Sequence, residues 1–123
     1  MKTHESAEDY LETILLLKRV LGEVRSIDIA NEMNFTKPSV SVAMKKLKEQ
    51  GYITIEEGGY ISLTPSGLEL AECIYERHEL ISGLLMHIGV SKETAMEDAC
   101  RIEHVISTET FEKLKAYDTE TIK

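Results

Sequence analysis

The stretch from Ser26 to Leu63 constrains the fold more than any other part of the chain. "SIDIANEM" reads as a short helix, with Ser26 as its cap and Ile27, Ile29, Ala30 and Met33 as its apolar side. "TKPSVSVAMKKLKEQ" reads as a second helix. Thr36 is its cap, Pro38 sits in the first turn where its missing N–H is harmless, and Gly51 is its stop. Val40, Met44 and Leu47 recur at helical spacing and form the expected buried stripe. Only "NFT" lies between the two helices, so the chain must reverse in a tight turn. Directly afterwards Tyr52, Ile53 and Ile55, then Tyr60, Ile61 and Leu63, flank a Gly58-Gly59 turn, which is a β-hairpin pattern. Two helices joined this tightly, with a hairpin at once behind them, predict a winged helix-turn-helix.

The flanks read as helix. Residues 6–21 predict a first helix capped by Ser6, with Asp9 as an exposed acid near a capping box. Leu11, Ile14, Leu15, Leu17 and Leu21 form its stripe, and Gly22 is its stop. After Thr64-Pro65 a helical pattern runs over 66–87 to a break at Gly89. Ser91 can cap a helix to about residue 106, and Ser107 or Thr108 a last one through Lys115. The fold class is therefore mainly α with a small β-hairpin wing. Its expected division is a winged helix-turn-helix domain over 1–64 and a helical domain over 65–123. A chain of 123 residues fits one compact domain or two small pieces sharing a core. No apolar run approaches a membrane span, and "MKTHESAEDY" lacks the apolar core of a signal peptide, so the expected location is cytoplasmic. Cys73 and Cys100 form no C-x-x-C pair and are expected as free thiols, with Cys73 in the core.

Charge is distributed unevenly. The net charge of −8 argues against nucleic acid, but residues 1–67 carry 8 Lys/Arg and 10 Asp/Glu, whereas 68–123 carry 6 and 12. Within 36–50 four lysines (37, 45, 46, 48) face one acid, Glu49. A basic helix on a helix-turn-helix frame is the footprint of a DNA-contacting element. Lys37, Ser39, Ser41 and Lys45 are expected to be exposed there, Lys37, Lys45 and Lys46 to meet phosphate, and Val42 to offer at most an apolar contact to a thymine methyl. A lone lysine on a helix is more often merely solvated; the frame and wing give these four their meaning.

The segment "DACRIEHVIS" places Cys100, Glu103 and His104 three and four residues apart, on one face if it is helical, and so offers sulfur, oxygen and nitrogen together. Asp9 and Glu12 share a face in the same way, and His78 stands beside Glu79. Singly, Asp9 reads as a capping residue, Glu12 as a solvated acid and His78 as a satisfied histidine; Cys100-x-x-Glu103-His104 is the specific signal. Motifs of catalysis are missing. "RHELIS" has Ser82 where H-E-x-x-H needs histidine, and there is no Gly-rich phosphate loop and no G-x-S-x-G. An enzyme is not expected.

Together "AEDYLETILLL", "IDIANEM", "KPSVSVAMKKLKEQGYI", "LTPSGLELA", "RHELI" and "DACRIEHVIS" resemble the family of the diphtheria toxin repressor and the manganese transport regulator, over about residues 6–117. The resemblance implies an N-terminal winged-helix domain, a helical dimerisation domain and transition-metal ligands between them, without the SH3-like domain of some members. It implies Asp9, Glu12, His78, Glu103 and His104 as ligands in the manner of manganese-type members, and Cys100 in the manner of iron-type members. The ligand set is a hybrid. Ser82 and Met96 stand where the iron-type proteins place further ligands of a second site, so that site is expected to be absent in its iron-type form. On DNA the resemblance implies Pro38, Ser39 and Ser41 at the recognition-helix start, and Val42 replaces an iron-type glutamine; the expected DNA face adds Thr36, Lys37, Lys45 and Lys46 to these. The expected function is a cytoplasmic, homodimeric repressor that binds double-stranded operator DNA when loaded with a divalent metal, Fe(II) favoured and Mn(II) the alternative, with no membrane partner. The rival expectations are a winged-helix regulator that needs no metal, its C-terminal helices serving dimerisation or a small-molecule pocket, and a protein-binding winged helix that touches no DNA.

Overall fold

The computed structural model describes residues 7–121, with side chains through Asp118; the proposed Ser6 cap lies outside them. The elements run α1 (Ala7–Leu21), α2 (Ser26–Met33), α3 (Lys37–Glu49), β1 (Ile53–Ile55), β2 (Ile61–Leu63), α4 (Pro65–His87), α5 (Lys92–Ile102) and α6 (Thr108–Thr121). This is the expected class, helices with one antiparallel hairpin, in which Ile53 pairs with Leu63 and Ile55 with Ile61. Two compact units divide the chain, one ending at Glu72 and the other beginning at Cys73, within α4.

The first unit is the winged helix. Its core gathers Leu11, Ile14 and Leu15 of α1, Ile29, Ala30 and Met33 of α2, and Val40, Met44 and Leu47 of α3. Val24, Ile53 and Ile61 close it at the wing. Val24 forms an isolated antiparallel bridge to β2, its carbonyl accepting from the Ile61 N–H at 2.8 Å. Asn34 ends α2 in the left-handed conformation (φ 59°), which asparagine tolerates better than most residues. Two expectations shift here. Ser26 is the first helical residue of α2 and Arg25 the cap, because the Asp28 carboxylate accepts from the Arg25 N–H at 2.9 Å. The α1 stripe is shorter than expected: Leu21 is exposed and Leu17 half-buried, since the last turn of α1 runs past its partners.

The start of α4 is locked to the end of α3. The Thr64 hydroxyl donates to the Gly51 carbonyl at 2.7 Å and accepts from the Gly67 N–H at 3.2 Å, which makes it the α4 cap. Gly67 lies so close to Tyr52 that a Cβ there would overlap the Tyr52 carbonyl oxygen.

The second unit packs Ile74 and Ile81 of α4, Ala95 and Ala99 of α5 and Phe111 of α6. Ser91 caps α5 through the Thr94 N–H, and Ser107 caps α6 through the Thr110 N–H at 3.1 Å. Cys73 is exposed rather than in the core. The buried line of α4 is Ala71, Ile74, Ile81, and a helix turns about 100° per residue, so a side chain one position before Ile74 points away. The other difference concerns α5, which stops at Ile102, short of the expected residue 106.

Candidate metal centre and nucleic-acid face

Glu103 is the C-cap of α5, and residues 103–106 form a tightened turn in which the Val105 N–H donates to the Ile102 carbonyl at 3.0 Å. No glycine or proline ends this helix. Arg77 of α4 holds its end: its guanidinium donates to the Glu103 carbonyl at 3.1 Å and the Ile106 carbonyl at 3.4 Å, and it stacks 5.3 Å from the Phe111 ring. A cation on the last carbonyls of a helix satisfies them and suits the negative end of its dipole. Arg77 is thus a support of the Glu103 turn that sequence reading missed; its only sequence signal is its place beside His78.

On this support the expected donors of the second unit come together, although one helix does not carry them all. Cys100 is on α5, Glu103 at its cap and His104 in the turn, yet their ligating atoms lie within 4.8 Å of one another. His78 approaches from α4, its Nδ1 at 2.9 Å from Glu103 Oε1. Glu103 is fully buried, and its second oxygen, Oε2, has no hydrogen-bond partner and stands 3.5 Å from His104 Nε2. Burying a carboxylate oxygen without a donor is unfavourable, and a cation removes that penalty. A thiol, an imidazole and a carboxylate that converge at one point, one oxygen unsatisfied, are a donor set for a divalent transition metal. The residues present fit such an ion.

In the first unit, Asp9 and Glu12 occupy one face of the first turns of α1. Asp9 is 0% exposed and Glu12 6%, so neither is the solvated acid that a helix start suggests. Acids are almost never this buried without a compensating charge or hydrogen bonds.

The other face of interest is α3. Thr36 accepts from the Ser39 N–H at 3.3 Å, so its hydroxyl acts as the cap. Lys37, Pro38, Ser41, Val42, Lys45 and Lys46 are exposed, as is Lys48. Ser39 is half-buried, contrary to expectation, because it lies next to Val40 at the edge of the core stripe. Arg25 is held outside the wing, donating to the Tyr60 hydroxyl at 3.1 Å with its guanidinium 4.5 Å from the ring centre. Among the described residues no helix is long and apolar enough to cross a membrane.

Fold and donors define a class: a winged helix with an exposed basic third helix, joined to a helical unit with a cluster of side chains that could hold a metal. Comparison with known proteins agrees. Residues 2–60 match the family model described as the iron dependent repressor, N-terminal DNA binding domain, and 64–118 the one described as its metal binding and dimerisation domain. The transcriptional regulator MntR of Salmonella typhimurium is 35% identical over 92% of this chain and 72% of its own length. A regulator from Methanocaldococcus jannaschii, described as an uncharacterized HTH-type transcriptional regulator, is 36% identical over 92% of both chains. Among solved structures, the manganese regulator SloR superposes with a TM-score of 0.83 at 29% identity, over 94% of this chain and 54% of that one. IdeR of T. acidophilum gives 0.79 at 30% identity, over 93% and 53%. The chain thus spans about half the length of these solved structures. It belongs to the diphtheria toxin repressor and manganese transport regulator family of metal-dependent transcriptional repressors, and carries that family's DNA-binding domain and its metal-binding and dimerisation domain.

Proposed function

We propose that the chain is a homodimeric repressor, activated by a divalent metal, that binds palindromic double-stranded operator DNA in the cytoplasm and controls metal homeostasis. The observation that carries this reading is Glu103: a buried carboxylate with one oxygen lacking a hydrogen-bond partner, set among sulfur and nitrogen donors. Residues 1–64 act on DNA and 65–123 bind metal and dimerise. His78, Cys100, Glu103 and His104 form the ligand set, and Asp9 and Glu12 complete it from α1; their burial at one helix face supports this. The ion would supply positive charge that these side chains lack among themselves. Ligands drawn from both units link metal binding to the arrangement of the two, and DNA binding to both. Arg77 orients the Glu103–His104 turn by holding its carbonyls. Thr36, Lys37, Pro38, Ser39, Ser41, Val42, Lys45 and Lys46 form the DNA face, with the lysines on phosphate.

Iron is the favoured metal in this reading. Cys100 is a soft ligand, and Mn(II) stands at the bottom of the affinity order and prefers hard oxygen donors. Manganese is the second reading, favoured by the oxygens of Asp9 and Glu12 and by relatives described as manganese regulators. One anaerobic titration tests both levels. Operator binding is followed against free Fe(II) and free Mn(II), and in excess chelator, for the natural chain and for Cys100→Glu. Activation by metal and loss of binding in chelator are expected, with half-activation by Fe(II) at the lower free concentration and the preference moving towards Mn(II) in the variant. Equal DNA affinity with and without metal would leave a metal-independent winged-helix regulator; an iron-to-manganese ratio that does not change in the variant would remove the iron assignment.

A further inference from the structure

Val42 is the one large apolar side chain of α3 turned to solvent. It is 62% exposed, whereas Val40, Met44 and Leu47 on the same helix are at most 2% exposed. A valine contributes nothing to solubility there and less than alanine to helix stability. Single exposed valines are ordinary, and Val20 and Val105 are more exposed still; Val42 is set apart by the helix face on which it lies. Pro38 and Lys46 stand four residues before and after it and are exposed, and Ser41 beside it is exposed too. From Lys37 to Glu49 the helix contains no arginine, asparagine or glutamine, so that of the side chains that read guanine or adenine through paired hydrogen bonds only lysine is present. Its lysines carry compact point charges suited to phosphate. Apart from the Ser41 hydroxyl, which can bond to more than one base, what remains to distinguish bases is apolar contact. In the major groove the apolar group that varies between base pairs is the 5-methyl of thymine. A β-branched side chain in a helix is held to essentially one rotamer, so the two Val42 methyls are presented at a fixed place without loss of side-chain freedom on binding.

We infer that Val42 is a specificity-determining residue that reads the 5-methyl group of a thymine in each operator half-site, through van der Waals contact rather than a hydrogen bond. This deepens, and rests on, the reading of α3 as the DNA-contacting helix. The probe is a duplex selected from a random-sequence pool by the metal-loaded full chain. In it each thymine is replaced in turn by deoxyuridine, which removes only the methyl. At one thymine per half-site the replacement should weaken binding about fourfold, the effect of one buried methyl, and in Val42→Ala the same replacement should have no effect. The substitution is at an exposed position, so the variant is expected to fold, which circular dichroism checks. Duplex binding that is indifferent to uridine at every position would overturn the inference while leaving the DNA reading intact. A uridine effect that persists in Val42→Ala would assign the methyl to another residue and also overturn it. Failure to select any duplex, with or without metal, would overturn the DNA reading itself and this inference with it.

Discussion

Glu103 is where one residue decides between two accounts. If it were only a structural partner of His78, replacing its carboxylate by an amide would loosen the fold. If it is a ligand held in readiness, the metal-free protein carries the unfavourable buried oxygen at all times. Glu103→Gln removes the charge and keeps the shape. We expect the variant to unfold at an equal or higher denaturant concentration than the natural chain when both are in chelator, by about 1–3 kcal/mol at most, the range for an unsatisfied buried polar group. Its affinity for metal, measured against a competing chelator, should fall at least tenfold, as even residues that only support ligands have effects of about 10–100-fold. A variant destabilised in chelator with metal affinity intact would return Glu103 to a structural role. At this scale the sequence is only partly informative. Cys100, Glu103 and His104 stand out by spacing, but the burial of Asp9 and Glu12 does not, since a carboxylate at a helix start looks the same whether solvated or enclosed. Cys73 errs the other way: a small apolar thiol in a helix suggests a core position, and a 100° turn of the helix puts it outside.

Elements are more legible than side chains, because caps and stops are local. Thr36, Ser91 and Ser107 cap the helices that their hydroxyls announce, and Gly51, Gly58 and Gly59 take the positive φ that their turns require. The end of α5 is different. Nothing between Ile102 and Ile106 marks a helix end; the carbonyls there are held by Arg77, 26 positions away from Glu103. A boundary set by a distant partner cannot be read locally. The join of α3 to α4 is of the same kind. Gly67 is an ordinary helical glycine in the sequence, yet in the fold it admits the Tyr52 backbone, and no side chain stands there to give way. Gly67→Ala should therefore push α4 off the α3–β1 turn, loosen the Thr64 contact to Gly51 and destabilise by about 1–3 kcal/mol, the usual scale of overpacking. Gly83→Ala, in the same helix with no atom near its added methyl, should instead stabilise by about 0.5–1 kcal/mol. Urea unfolding of the two variants side by side checks this; equal effects would mean that the α4 start is free to move.

Over the whole chain, net charge poses a problem that local charge answers. A protein of net charge −8 is repelled by DNA at long range, so attraction must come from a concentrated source. The wing is not that source: Glu56 and Glu57 stand exposed beside its glycines. Positive charge is concentrated instead on α3, with Lys37, Lys45, Lys46 and Lys48 exposed on thirteen residues. Attraction of this kind is measurable as counterion release, because log Kobs falls with log salt at a slope of about −0.9 per phosphate neutralised. If Lys37, Lys45 and Lys46 of each protomer meet phosphate in a dimeric complex, the slope is expected near −5. Lys45→Ala should make it shallower by about 2, one contact for each protomer. Val42→Ala touches no phosphate and should lower affinity with the slope unchanged, so the two variants separate positioning from base reading on one axis. The measurement is fluorescence anisotropy of a labelled duplex at constant free metal and varied potassium chloride. An unchanged slope for Lys45→Ala would mean that this face of α3 does not lie against the DNA backbone, and the basic segment would then be no more than a solvated helix.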